Sequence, residues 1–186
     1  MSREDLHEPI RNTLLEFVYP QLSNTTYPFL QGKAAWVFGN YHGLTWANDE
    51  IPIKIVQDVM TCMNSEFLSV RIEAALAFRH LAKNKSVKPF VTSWLPEILE
   101  VYFTLFDLCQ TDELITALQS IVVSYPLEIH AYATQLVSRI SQNYLDMLQE
   151  SLAVEEDILD REDDFDHADL SICKSLGTLQ VCITCL

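Results

Sequence analysis

Carboxylates, cysteines and histidines are the residues of this chain that could do chemistry, and only the carboxylates are concentrated. Glu150 to Asp169 holds ten acids against one base, Arg161, and so carries −9 of the chain's net −14. Its candidate contact residues are Glu155, Glu156, Asp157, Asp160, Glu162, Asp163, Asp164, Asp166 and Asp169. Like charges at this density repel one another and leave little apolar surface to bury, so the stretch reads as a solvated, disordered loop. The alternative is a loop that also touches a basic partner. It lacks the alternating ligand spacing and central glycine of a calcium loop. Acid–base catalysis would need paired carboxyls in a rigid apolar pocket, and nothing in the pattern supplies one.

The other reactive groups are scattered. Cys182 and Cys185 have the spacing of a metal knuckle or redox pair, but a metal site needs about two more ligands and no second pair is present. On a helix they are simply neighbours one turn apart. His7, His42, His80, His130 and His167 form no constellation with Ser, Cys or Asp. Trp36 and Asn40 lie one helical turn apart, the spacing with which armadillo adaptors grip a basic peptide. That pair recurs in successive adaptor repeats and occurs once here, so Trp36 is expected to be a core tryptophan. No catalytic residue, metal or cofactor is expected.

Composition narrows the classes further. Half of the 186 residues (49%) are hydrophobic, enough for a packed core. Glycine occurs four times, against about 13 at the usual ~7% for this length. That is too few for a turn-rich β protein or a glycine-rich phosphate loop. The charge of −14 repels nucleic acid and anionic lipid and suits a basic protein partner. The start, Met1-Ser2-Arg3-Glu4-Asp5, lacks the apolar core of a signal peptide. The apolar run Leu114–Leu127 falls short of the roughly 20 residues that span a bilayer. Five cysteines, an odd number in mostly apolar surroundings, suit reduced thiols of the cytosol or nucleus. The sequons at Asn24 and Asn84 then read as chance.

The elements that must position these groups are helices. Leu6, Ile10, Leu14 and Val18 share one face of a helix over 5–19, which Pro20 ends. Asn24 to Thr26 offer capping oxygens and Pro28 suits a first turn, so a second helix is predicted to Tyr41, with Gly43 as its stop. Asn48 or Asp49 caps a third, burying Ile55, Val59 and Cys62. A fourth runs from Glu66 to about Lys83. A short turn of helix precedes one over 96–108. Thr111-Asp112 caps the next, ending near Tyr125, and Pro126 opens the last long one, to about Gln149. No stretch alternates as a strand would.

Two of these helices repeat. A shift of 40 residues lays Ala34, Ala35 and Phe38 on Ala74, Ala75 and Phe78, with Trp36 on Leu76. A weaker copy begins near Asp112. A period of about 40–47 with two helices per unit indicates HEAT or armadillo repeats, which bury their faces by stacking; an ordinary helical bundle is the rival. On the fourth helix, which contains Val70-Arg71-Ile72-Glu73-Ala74-Ala75, the residues Ser69, Glu73, His80 and Lys83 make a narrow polar edge. Arg71 interrupts the apolar side. It reads as a bridge between repeats that needs a carboxylate or carbonyl partner, or else as a snorkelling side chain. Gln31 stands where Arg71 stands one repeat on, which weakens the idea of an arginine ladder.

Phe29 to Tyr41, with its Ala-x-Trp core, and Ser69 to Ala77 resemble consecutive repeats in the middle of importin-beta superfamily receptors (karyopherins). The acidic insert after Leu148 and the helix resuming near Leu170 are most similar to the importin seven and eight group. The resemblance implies an all-α HEAT solenoid segment of three to four helical hairpins. Its parts would be 1–149 as repeats, 150–169 as the acidic loop, and 170–186 as the start of a further helix. It also implies an internal piece of a longer receptor, since the apolar end Leu179 to Leu186 lacks a polar cap. For the whole receptor it implies protein import with cargo, the GTPase Ran and nucleoporin Phe-Gly repeats as partners, shuttling between cytoplasm and nucleus, and no enzymatic activity. Ala34, Ala35, Trp36, Val70, Arg71, Ala74 and Ala75 would be its repeat-defining positions. A HEAT scaffold outside transport remains the alternative.

Overall fold

A computed structural model describes residues 7–109 and 111–157. Every regular element among them is helical, and the chain divides into two compact units, 1–101 and 102–186. The acids from Asp160 onward and the Cys182–Cys185 pair lie outside the described residues.

The first unit opens with α1 (His7–Thr13), which passes through a π-helical turn (Leu14–Val18) into a 3₁₀ turn (Tyr19–Ser23). Pro20 was expected to end a helix outright. Instead it sits in the first turn of the 3₁₀ segment, where its missing N–H costs little. Next comes α2 (Pro28–Asn40), and the side chain of Asn24 accepts a hydrogen bond from the Tyr27 N–H just ahead of it (3.2 Å). Gly43 does not serve as a left-handed stop, for no described residue has positive φ. The helix closes on Tyr41, whose N–H donates to the Val37 carbonyl.

Asn48 accepts from the Ile51 N–H (3.2 Å) at the entry to α3 (Glu50–Met63). Ile55, Val56, Val59, Cys62 and Met63 are buried along it, the one-sided spacing of an amphipathic helix. Only four residues separate α3 from α4 (Leu68–Leu81), and the two pack together as a hairpin. The short α5 (Lys88–Ser93) leads into α6 (Leu95–Leu108), whose C-terminal half begins the second unit.

In the second unit α7 (Asp112–Ser124) buries Leu114, Ile115, Ala117, Leu118, Ile121 and Val122. Its neighbour is expected to run unbroken from Pro126 to Gln149. It is found as α8 (Pro126–Ile129), a 3₁₀ turn (His130–Tyr132) and α9 (Ala133–Asp157). The last helix therefore takes in Glu150 to Asp157, which the acidic-loop boundary at 150 had excluded. Leu, Ala and Glu in Ser151-Leu152-Ala153-Val154-Glu155-Glu156 are ready helix formers. Three consecutive acids at its end oppose the helix dipole, a physical reason to stop there. Arg139 of α9 reaches Asp107 of α6 (3.6 Å) and lies 5.6 Å from the Phe103 ring centroid. Both contacts hold α9 to the C-terminal half of α6. Tyr125 is fully buried between α7 and α8, and burial, with the charge of Glu128 adding, pushes its hydroxyl up to about 12.

Candidate recognition surface on the paired repeat helices

The two helices that repeat in sequence, α2 and α4, lie directly against each other. The small side chains of the repeat make this possible. Ala34, Ala35, Ala74 and Ala75 are buried, as are Phe38 and Phe78, and Val70 beside them is 1% exposed. Of the two glycines on α2, Gly39 makes the tighter approach: a Cβ there would meet the Ala77 Cα at 2.7 Å. At Gly32 the corresponding distance to Glu73 is an ordinary 3.5 Å. Sequence reasoning placed the alanines but missed Gly39. Its signal is a glycine inside a helix, a position with an intrinsic cost that close packing offsets.

The polar edge of α4 faces a polar edge of α2. Lys33 forms an ion pair with Glu73, forty residues on. Toward the other end, the rings of His42 and His80 stack with centroids 5.1 Å apart. His42 Nδ1 bonds the Gly39 carbonyl (2.8 Å), and Arg79 donates to His80 Nε2 (3.1 Å). An imidazole that accepts from a guanidinium must be neutral on that nitrogen. Burial, followed by the charges of Arg79, His42 and Lys83, holds the His80 pKa below its usual value.

Beneath the α2 end of this seam lies a buried polar cluster. Gln31, the residue aligned with Arg71, is 5% exposed and donates through Nε2 to the Leu22 carbonyl (2.9 Å). The Cys62 thiol donates to the same oxygen (3.3 Å). Burial pushes this thiol up to about 11, with the charge of Asp58 adding to the effect. Tyr19 is pushed up to about 12, first by burial and then by its hydrogen bond to Asp58. These groups fasten the 3₁₀ turn to α2 and α3. None of them is held in a reactive form.

Trp36, expected in the core, is 48% exposed. Gly32 and Gly39 mark the side of its helix that meets α4, and the indole, one turn from each, stands at the exposed edge of that seam. Asn40 turns back to donate to the Trp36 carbonyl (2.8 Å). Arg71 is partly buried, and its Nε is without a hydrogen-bond partner among the described residues. The acids Glu155, Glu156 and Asp157 are at the end of α9. A small cleft near Phe38, His42, Trp46, Ile55 and Asn84 has apolar walls and room for about one water, not a substrate. Among the described residues no three His, Cys, Asp or Glu side chains group as metal ligands, and no helix is long and apolar enough to cross a membrane.

What the fold offers is therefore a surface of stacked helices. Over 140 residues, 75% of its length, the chain is 24% identical to a probable importin-7 homolog of Dictyostelium discoideum. Over 141 residues it is 26% identical to an importin beta-like SAD2 homolog of Arabidopsis thaliana, covering 76% of the chain. The chain is related to the importin-beta family. It spans 13% and 14% of the length of these two relatives. No family model and no solved structure matches it. The all-helical repeat observed here is the architecture that this relationship calls for.

Proposed function

We propose that the chain forms part of a nuclear import receptor, and that its task is to recognise protein cargo rather than to catalyse a reaction. The observation that supports this reading is the match to two importin-type proteins over three quarters of the chain. It falls on a sequence whose 40-residue repeat is realised as the stacked α2–α4 pair. Stacked helical pairs present long surfaces on which a protein partner binds through many modest contacts. The acids from Glu155 to Asp169 would raise the rate of encounter with basic cargo and bias selection toward it. In the whole receptor, Ran loaded with GTP would oppose cargo through a coupling free energy between their sites. Nucleoporin Phe-Gly repeats would be further partners, and the receptor would shuttle between cytoplasm and nucleus. Nucleic acid is not a direct partner in this scheme, and membrane insertion plays no part.

Two experiments test it. Pull-down of the full-length gene product with Ran loaded with GTP or GDP should show preference for the GTP form. Equal recovery with both forms would favour a scaffold outside transport. Deleting residues 155–169 should leave the helical circular dichroism of the repeats in place, weaken binding of a basic protein such as core histone, and flatten its salt dependence. Unchanged affinity across salt would make the stretch an inert tether.

A further inference from the structure

The exposed edge of α2 beside α4 carries Phe29, Lys33 and Trp36 at four- and three-residue intervals, which places them on one helical face. Phe29 is 73% exposed and Trp36 48%, unusual values for rings of this size. Between them sits the Lys33 ammonium, 5.8 Å from each ring centroid, and it is ion-paired with Glu73 of α4. Two aromatic faces and one carboxylate around a single ammonium make a cation site, and the chain's own lysine fills it.

We propose that Phe29, Trp36 and Glu73 form a binding point for a lysine or arginine side chain of a basic partner peptide, with Lys33 as a resident occupant that the partner's cation displaces. This deepens the reading of a basic partner and rests on it. The ring faces carry the negative end of the aromatic quadrupole, so they attract any cation placed over them. A displaced Lys33 stays tethered beside the site and repels the incoming ammonium, so Lys33 competes with the partner's cation for the rings and Glu73. Exposed ion pairs hold weakly, so Lys33 is an easily displaced latch. Tyr27, Leu30, Phe67 and Leu68 are also exposed near the starts of α2 and α4. They give the aliphatic stems of neighbouring peptide lysines apolar surface to lie on. The occupant's chemistry follows from this complementarity: a cation, rather than an anion or a purely apolar helix.

The test uses the full chain and an acetylated octalysine peptide, with affinity read by calorimetry. Lys33→Ala empties the site and should tighten binding about two- to fivefold. Adding Trp36→Ala or Glu73→Gln to that variant should abolish the gain. Lys54→Ala makes the same charge change on exposed α3 surface and should leave affinity nearly unchanged. Deleting 155–169 should lower affinity throughout yet preserve the gain from Lys33→Ala. No gain on Lys33→Ala, an equal gain on Lys54→Ala, or a gain that survives Trp36→Ala overturns the site. A Trp36-dependent gain, combined with no effect of the deletion, would overturn the role of the acidic stretch and uphold this site. Thermal melts of each variant check that the fold persists, which is expected because the altered side chains are partly exposed.

Discussion

Helices α2 and α4 occupy the same place in consecutive repeats, yet they resemble each other on only one side. Where their sequences coincide, at Ala34/Ala74, Ala35/Ala75 and Phe38/Phe78, the residues are buried. Where they part, the roles part as well. Trp36 stands half in solvent while Leu76 is more covered, and Phe29 presents an exposed ring where an exposed Ser69 presents only a hydroxyl one repeat on. Gln31 is buried and donates to the Leu22 carbonyl, whereas Arg71 is only partly buried; the Gln31 Oε1 and the Arg71 Nε both lack a hydrogen-bond partner among the described residues. Identity between repeats thus records what stacking requires, and divergence records what each repeat does by itself.

The strongest way to break this comparison is to cut its shared core. Phe38→Ala and Phe78→Ala each remove a fully buried ring and should each destabilise by about 3–5 kcal/mol. Urea unfolding measures both. A large loss at one position and a negligible loss at the other would show that the repeat positions are not equivalent.

The two glycines of α2 come next and should differ in sign. Gly39→Ala drives a methyl into the Ala77 backbone and should cost about 1–3 kcal/mol. Gly32→Ala meets only ordinary contact and should gain up to about 1 kcal/mol from helix propensity. Equal effects would mean that the close approach at Gly39 relaxes freely.

Acidification probes the histidine end of the seam. The folded pKa of His80 is depressed, so the unfolded chain binds more protons as pH falls through the unfolded value near 6.5. The stability contributed by neutral His80 is therefore complete above that pH and declines below it. Lowering the pH from 7.5 to 5.5 should reduce the urea midpoint, and His80→Phe should reduce the slope. An unchanged slope would show that the His42–His80 stack does not resist protonation.

The smallest effect is expected at the opposite end. Lys33→Ala breaks a partly exposed pair and should change stability by less than about 1 kcal/mol. A larger loss would make the Lys33–Glu73 contact a structural bond rather than a latch.

The helices and their stacking were legible in the sequence because they follow from local rules: apolar spacing, prolines at first turns and matching alanines at a fixed shift. Trp36 was misread because its alignment with Leu76 suggested a common environment. Side-chain size alone does not say which side of a helix its neighbour will take. The π and 3₁₀ turns around Pro20 were missed, since local backbone spacing there answers to packing by Leu14 and Leu22 rather than to propensity. The polar seam was half visible. The edge of Ser69, Glu73, His80 and Lys83 could be drawn on a wheel, but Lys33 and His42 join it only once α2 lies against α4. Of the acidic stretch, Glu150 to Asp157 extended α9 because helix propensity outweighed the charge count that had set a boundary at 150.

The contact of Gly39 with Ala77 also has a mechanical consequence. With only the Ala77 methyl beside the two backbones, there is little compressible at that point, and the helices resist being pressed closer. They can still tilt about it. The contact acts as a fulcrum near one end of α2, with the long ion-pairing side chains of Lys33 and Glu73 toward the other. A load applied to the outer face of α2 would be felt less as a change in spacing than as a small rotation. The flexible ion pair would absorb that rotation, and the glycine would not.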